Sequence, residues 1–423
     1  MSGRGPDGLR RLLAGIIDAS AQERLALSIA AFFASILVGV VIILGAGVVA
    51  TCPNATPFLT FPGGATACYD PFSVLETLFL APFASAFNVA LTAKETTLLL
   101  FTGLAVAVAF RAGLFNIGVQ GQLVLGALGS ALSVLAIAPF VPGGPIGTFV
   151  LVPTGLVFGT LVGGAFAAIP GALKAYADAN EVITTIMLNF IAAKSARYLV
   201  GTYFQDPESM SITTRSLPAA AQLSPVLPFF SGAPFSTVVI VATLFLAGAV
   251  YYVLQHTPFG YDLRMSGLQP KAADYGGVQS KRMIVSSMVF SGALAGLGGA
   301  VYVMMVMGRY RHGLPAIGFD GITVSVLAGN NPLGVIPASL LFGLMKAGSL
   351  SIEFQLGVPK QLVGVLRGLV ILFVAMPEFF RMLGRQFNLL EDEREKLAPD
   401  GGEPRDRDDP TEEPTHAPTE ADE

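Results

Sequence analysis

The chain has 423 residues, 53% of them apolar and only 13% charged, with 48 glycines, no tryptophan and a formal net charge of −4. Soluble domains carry roughly a quarter charged residues, so a soluble globular protein is excluded. No G-x-x-x-x-G-K-[ST] run occurs, which excludes nucleotide hydrolysis by that route, and the scattered His256, His312 and His416 offer no metal-ligand spacing.

Apolar windows long enough to cross a hydrocarbon core of about 30 Å recur along the chain. They predict spans over 27–50, 95–113, 118–138, 148–172, 182–200, 236–256, 284–304, 318–330, 333–350 and 361–380. The stretch 72–92 is apolar but broken by Pro82 and small residues, and reads as an interfacial or re-entrant piece. The expected fold is therefore an all-α polytopic membrane protein with about ten transmembrane spans, including broken or half helices. Lys and Arg are biased toward alternate loops, which places both termini in the cytoplasm. The first apolar segment is longer than the 7–15-residue core of a cleavable signal and reads as a retained span.

This divides the chain into a cytoplasmic N-terminal segment (1–26), a transmembrane domain (27–385) and an acidic tail (386–423). Residues 391–423 hold 14 acidic and 4 basic residues, a composition that cannot build a core and is expected to be disordered. Cys52 and Cys68 both fall in the first outer loop, where a disulfide is expected and two free thiols are the alternative.

Four polar islands interrupt the oily background. In "RAGLFNIGVQGQ" (111–122), Asn116, Gln120 and Gln122 need hydrogen-bond partners, and the glycines permit irregular backbone. Such backbone at membrane depth survives only against protein or a water-lined cavity. A short inner turn capped by Asn116 is the plainer alternative. In "NEVITTIMLNF" (180–190), Thr185 and Asn189 share one helix face, suited to a path or to ordinary interhelical bonding. The inner loop 257–283 contains "GLQPKAADYGG", which reads as Pro270 opening a short helix and Gly276 ending it, a docking element or a solvated connector. Finally, "GFDGITVSVLAGNNPLGV" (318–335) has a helix of about 20 Å before Asn330, Asn331 and Pro332 break it, a half-helix pattern with Asp320 near its start.

These four segments, in this order, resemble the permease subunits of ABC importers of the branched-chain amino acid, ribose and nucleoside group, closest to the nucleoside and simple-sugar branch. The resemblance covers roughly residues 25–385. It implies a plasma-membrane transport subunit, not an enzyme, with no cofactor of its own and ATP hydrolysed on partner chains. The implied partners are two cytosolic ATPase subunits, a second and different permease, an extracytoplasmic substrate-binding lipoprotein and membrane lipid; no nucleic acid is implied. It further implies that Gly267, Pro270, Lys271, Ala272, Ala273 and Gly276 form the segment coupled to the ATPase. The substrate expected first is a nucleoside, then a simple sugar, then a branched-chain amino acid. A nucleoside is neutral and hydroxyl-rich, so amides and aromatic surface would line its path: Asn116, Gln120, Gln122, Asn189, Asn330, Asn331 and Phe115. The rival reading is an ion-coupled secondary transporter, for which Asp320 is the titratable candidate.

Overall fold

The computed structural model describes residues 21–372, apart from 51–56, 63, 65, 226, 228, 229, 231, 360, 367, 370 and 371. Two compact units divide the chain, Ala26–Ala375 and the paired ends Met1–Leu25 with Met376–Glu423. Nearly all of the second lies outside the described residues, as do the acidic tail and Cys52 of the expected disulfide.

Helices dominate. Helix α1 (Ala21–Val49) leads through a two-stranded hairpin, β1 (Leu59–Thr60) with β2 (Thr66–Ala67), to the short helix α2 (Pro71–Leu80). Then follow α3 (Ala86–Arg111), α4 (Val119–Ile137), α5 (Pro145–Ala177), α6 (Glu181–Leu199) and α7 (Thr237–His256). Two short helices, α8 (Pro258–Leu268) and α9 (Pro270–Tyr275), precede α10 (Ser280–Val301), the half-length α11 (Ile317–Leu327) and α12 (Val335–Leu356). Local chemistry sets the starts. The Ser85 hydroxyl accepts the Asn88 N–H at 3.1 Å at the head of α3. Asn180 Oδ1 accepts from Val182 and Ile183 at the head of α6, and Thr257 Oγ1 accepts from Gly260 at the head of α8.

The expectation of about ten spans is corrected. Among the described residues, six helices are long and apolar enough to cross a membrane: Ala86–Arg111, Val119–Phe140, Pro145–Ala177, Thr237–His256, Ser280–Met307 and Val335–Leu356. The segment 182–200 forms a helix, but Glu181, Lys194 and Arg197 make it too polar to count, and 318–330 yields only 11 helical residues. Of 27–50, the apolar part described is Phe33–Val49, and 361–380 lies largely outside the described residues. Both termini lie outside them too, so the two cytoplasmic ends expected from charge bias have no structural support. The apolar windows counted 318–330 without registering how short its continuous helix is, and 182–200 without weighing its charged residues.

Helix α3 is the hub, packed by α7, α10, α11 and α12, while α4, α5 and α10 form a second tight group. In that group glycines replace side chains. A Cβ on Gly163 would meet Gly296 Cα at 2.6 Å, and one on Gly126 would meet Gly159 O at 2.9 Å. Small residues let membrane helices approach to backbone contact, where dispersion and weak polar contacts substitute for the hydrophobic drive that lipid removes.

Candidate functional site

The turn between α3 and α4 carries the first polar island into the bundle. Gly113 adopts φ +68°, a conformation that favours glycine. Beyond it, Asn116 and Gln122 are almost wholly buried and form a reciprocal amide pair. Asn116 Nδ2 donates to Gln122 Oε1 at 2.9 Å, and Gln122 Nε2 donates back to Asn116 Oδ1 at 3.1 Å. Asn116 Nδ2 also donates to Ser291 Oγ on α10 at 2.9 Å, and Ser291 donates onward to the Ala105 carbonyl of α3 at 2.6 Å. Asn116 Oδ1 further accepts the Gly118 N–H at 3.0 Å. Three helices are thereby joined through one saturated amide cluster.

Asn189 reaches the same turn from α6. Its Oδ1 accepts the Gly121 N–H at 2.7 Å and its Nδ2 donates to the Ile117 carbonyl at 2.9 Å. Thr185 turns back on its own helix, donating to Glu181 O at 2.7 Å. Gln120 fastens the half helix α11: Gly318 N–H donates to its Oε1 at 2.8 Å, and its Nε2 donates to Pro315 O at 3.0 Å. Phe115 packs edge-on to Phe110 with ring centroids 4.8 Å apart.

At the other end of α11, Asn330 takes φ +56° and its carbonyl accepts Arg111 Nε at 2.8 Å, while its Oδ1 accepts the Ser325 hydroxyl. Arg111 thus ties the α3 terminus to this break. Asn331 caps locally, its Oδ1 accepting the Leu333 N–H at 3.1 Å. The structure thus brings Asn116, Gln122, Asn189 and Gln120 around one turn and holds Asn330 by Arg111 at that turn's lower edge. Asn331 stands apart from this network.

The α8–α9 segment meets the same turn from the other side. A Cβ on Gly113 would strike the Gly267 carbonyl at 2.6 Å, and one on Gly267 would strike Gly113 N at 2.7 Å, so the two backbones touch. Within α9, Pro270, Lys271, Ala272 and Gly276 are exposed, but Ala273 is 4% exposed and faces inward. The outward face also displays Leu268 and Tyr275, 76% and 95% exposed, which sequence reading missed because a six-residue helix has no readable phase. Asp274 Oδ1 accepts the Ser280 N–H at 3.0 Å, and this bond lowers the carboxyl's pKa from its ordinary value.

A further polar group went unread in the sequence. Lys346 Nζ on α12 lies 3.2 Å from Glu95 Oε2 on α3 and 3.1 Å from Asp320 Oδ2 on α11, and Glu95 Oε1 lies 2.9 Å from Lys94 Nζ. Asp320, the carboxylate an ion-coupled transporter would need, is committed to a lysine.

Residues 86–375 match the family described as branched-chain amino acid transport system, permease component. The chain is 33% identical to the guanosine ABC transporter permease protein NupP of Bacillus subtilis (strain 168), over 73% of this chain and 86% of that one. It is 32% identical to the nucleoside ABC transporter permease protein NupB of Lactococcus lactis subsp. cremoris (strain MG1363), over 73% and 84% of the two chains. It is also 32% identical to the glucose ABC transporter permease protein TsgB13 of Haloferax volcanii, over 74% and 82%.

Proposed function

The chain belongs to the family of branched-chain amino acid transport system permease components, and on that premise we propose that it forms the membrane path of an ATP-driven importer for nucleosides. It is a multi-pass plasma-membrane protein and a transport subunit. The nucleoside assignment draws support from two relatives named for guanosine and nucleosides, together with the buried amides Asn116, Gln122 and Asn189. A simple sugar is the second reading, favoured by the glucose permease at nearly equal identity.

The observation that carries the proposal is the backbone contact between Gly267 and the Ala112–Gly113 turn. Helices α8 and α9 present Leu268, Ala272 and Tyr275 outward for a cytosolic ATPase, with Pro270, Lys271 and Gly276 around them. Movement imposed there passes without slack to the turn that carries Asn116, and through Gln120 and Arg111 to both ends of α11. Ala273 packs the segment down. The amides at 116, 120, 122 and 189, with Asn330, Asn331 and Phe115, shape the wall of the path, which a second permease completes. An extracytoplasmic lipoprotein delivers solute, so the wall needs only weak affinity. Alternating access follows when the half helix rocks against α3.

Ala272→Glu places a charge on the exposed face of α9 without touching the bundle. Purified in mild detergent, the wild type is expected to bring down an ATPase and a second permease, and the variant only the permease. Guanosine, glucose and leucine uptake under ATP then assigns the substrate. An ATPase retained at wild-type level by the variant would move the docking site elsewhere, and a wild type that never retains one would sink the importer reading.

A further inference from the structure

Charged side chains at the middle of a bilayer are expensive, and they face protein or a wet cavity. Lys346 stands at the midpoint of α12, a helix long and apolar enough to cross a membrane, and meets Asp320 in the first turn of α11. The chain Lys94–Glu95–Lys346–Asp320 alternates in sign and sums to zero. Lys94 and Glu95 are well covered, 12% and 13% exposed, whereas Lys346 and Asp320 open to 23% and 33%. The network is therefore buried at one end and accessible at the other.

The accessible end has unused capacity. Lys346 gives one direction to each carboxylate and keeps a third N–H, since an ammonium has three donors. Asp320 uses Oδ2, and among the described residues its Oδ1 accepts no hydrogen bond. Beside it on α11, Phe319 exposes an apolar face. An acceptor and a donor stand together where Gln120 clamps the head of the half helix, and Phe319 is the neighbouring residue on α11.

Building on the importer reading, we propose that Asp320 and Lys346 form a contact site for a neutral, hydroxyl-rich solute in transit: Asp320 Oδ1 accepts one hydroxyl of a vicinal pair, the spare Lys346 N–H is given to its neighbour, and Phe319 covers the apolar face. Glu95 is a positioning residue that holds Lys346 between the two helices. The balanced charge matters. An unpaired lysine would hold anions, and an unpaired aspartate would hold cations, whereas the pair exchanges hydrogen bonds with a hydroxyl without trapping either.

The test compares guanosine with 2′-deoxyguanosine in cells carrying the full importer, wild type against Asp320→Asn. The same binding protein serves both chains, so a change in their ratio belongs to the permease. Asn keeps the size of Asp but loses the charged acceptor and its hold on Lys346. The guanosine KM is expected to rise about tenfold, and that of the deoxy analogue less than about twofold, because a site built to bond a hydroxyl discriminates only when both are present. An unchanged guanosine KM, or an equal rise for both solutes, overturns the site. If Asp320→Asn does not accumulate, Lys346→Gln carries the same comparison, since Lys94 still neutralises Glu95. A wild type that imports neither nucleoside would defeat the nucleoside assignment instead, and glucose against 2-deoxyglucose then decides the same pair by the same criterion.

Discussion

Gly296→Val is expected to remove nearly all folded protein from the membrane. Gly296 lies where α10 crosses α5, and a Cβ there would run into the Gly159 carbonyl and stand 2.9 Å from Gly163 Cα. Both obstacles are backbone, which cannot rotate aside as a side chain would. The facing positions repeat the problem, because a Cβ on Gly163 would meet Gly296 and one on Gly159 would meet Gly296 O at 3.1 Å. Separating the helices to admit two methyls would also strip contacts from Gly126 on α4, which closes the trio. Overpacking typically costs about 1–3 kcal/mol, and a site with no soft neighbour belongs at or above the top of that range. Gly248→Ala on α7 is the matched control: no atom lies within 4 Å of its Cβ. Alanine there should be neutral or slightly stabilising, by up to about 1 kcal/mol from helix propensity. Thermal unfolding in detergent, followed by the monodisperse fraction, checks both. A Gly296→Val midpoint equal to that of the wild type would mean the three helices do not rely on this contact.

Part of this was open to inspection in the residues. The run "SGALAGLGGA" announces close helix packing, and its spacing matches the glycines at 155, 159 and 163. What the run does not reveal is its partner, which depends on a return of the chain more than a hundred residues long. The polar islands were legible for a related reason: an amide in an apolar stretch must be satisfied, whatever satisfies it. Whether it meets solute or another amide is a tertiary fact, and Asn116 and Gln122 meet each other. The ion-pair network was invisible as a unit because its members come from three separate segments, of which only that of Asp320 stood out alone. Lys346 sits at the midpoint of α12 because that helix runs on to Leu356. Ala272 and Ala273, read alike from the sequence, part company for a smaller reason, since one residue of phase in a single helical turn turns an exposed position into a buried one.

Asn116→Ala is expected to cost about 3 kcal/mol or more and to abolish uptake. Truncation orphans both ends of the Gln122 amide and the Gly118 N–H, all inside the bundle, while Ser291 keeps its bond to Ala105 O. Each buried polar group left without a partner costs about 1–3 kcal/mol, and water entering the gap recovers some of it. Stability alone does not say what the cluster is for, and a double substitution does. Asn116→Leu with Gln122→Leu removes both members of the pair, and replacing both partners by apolar groups of similar shape can be nearly neutral. The double variant should therefore unfold closer to wild type than either single leucine, with a coupling energy of about 1–2 kcal/mol in the mutant cycle. Uptake should stay lost, because two leucines would seal with hydrocarbon the turn that must move between Gly267 and the head of α11. Recovered stability with recovered uptake would reduce the amides to packing. Recovered stability without uptake would separate holding the bundle together from letting it move, and assign the second task to the same two side chains.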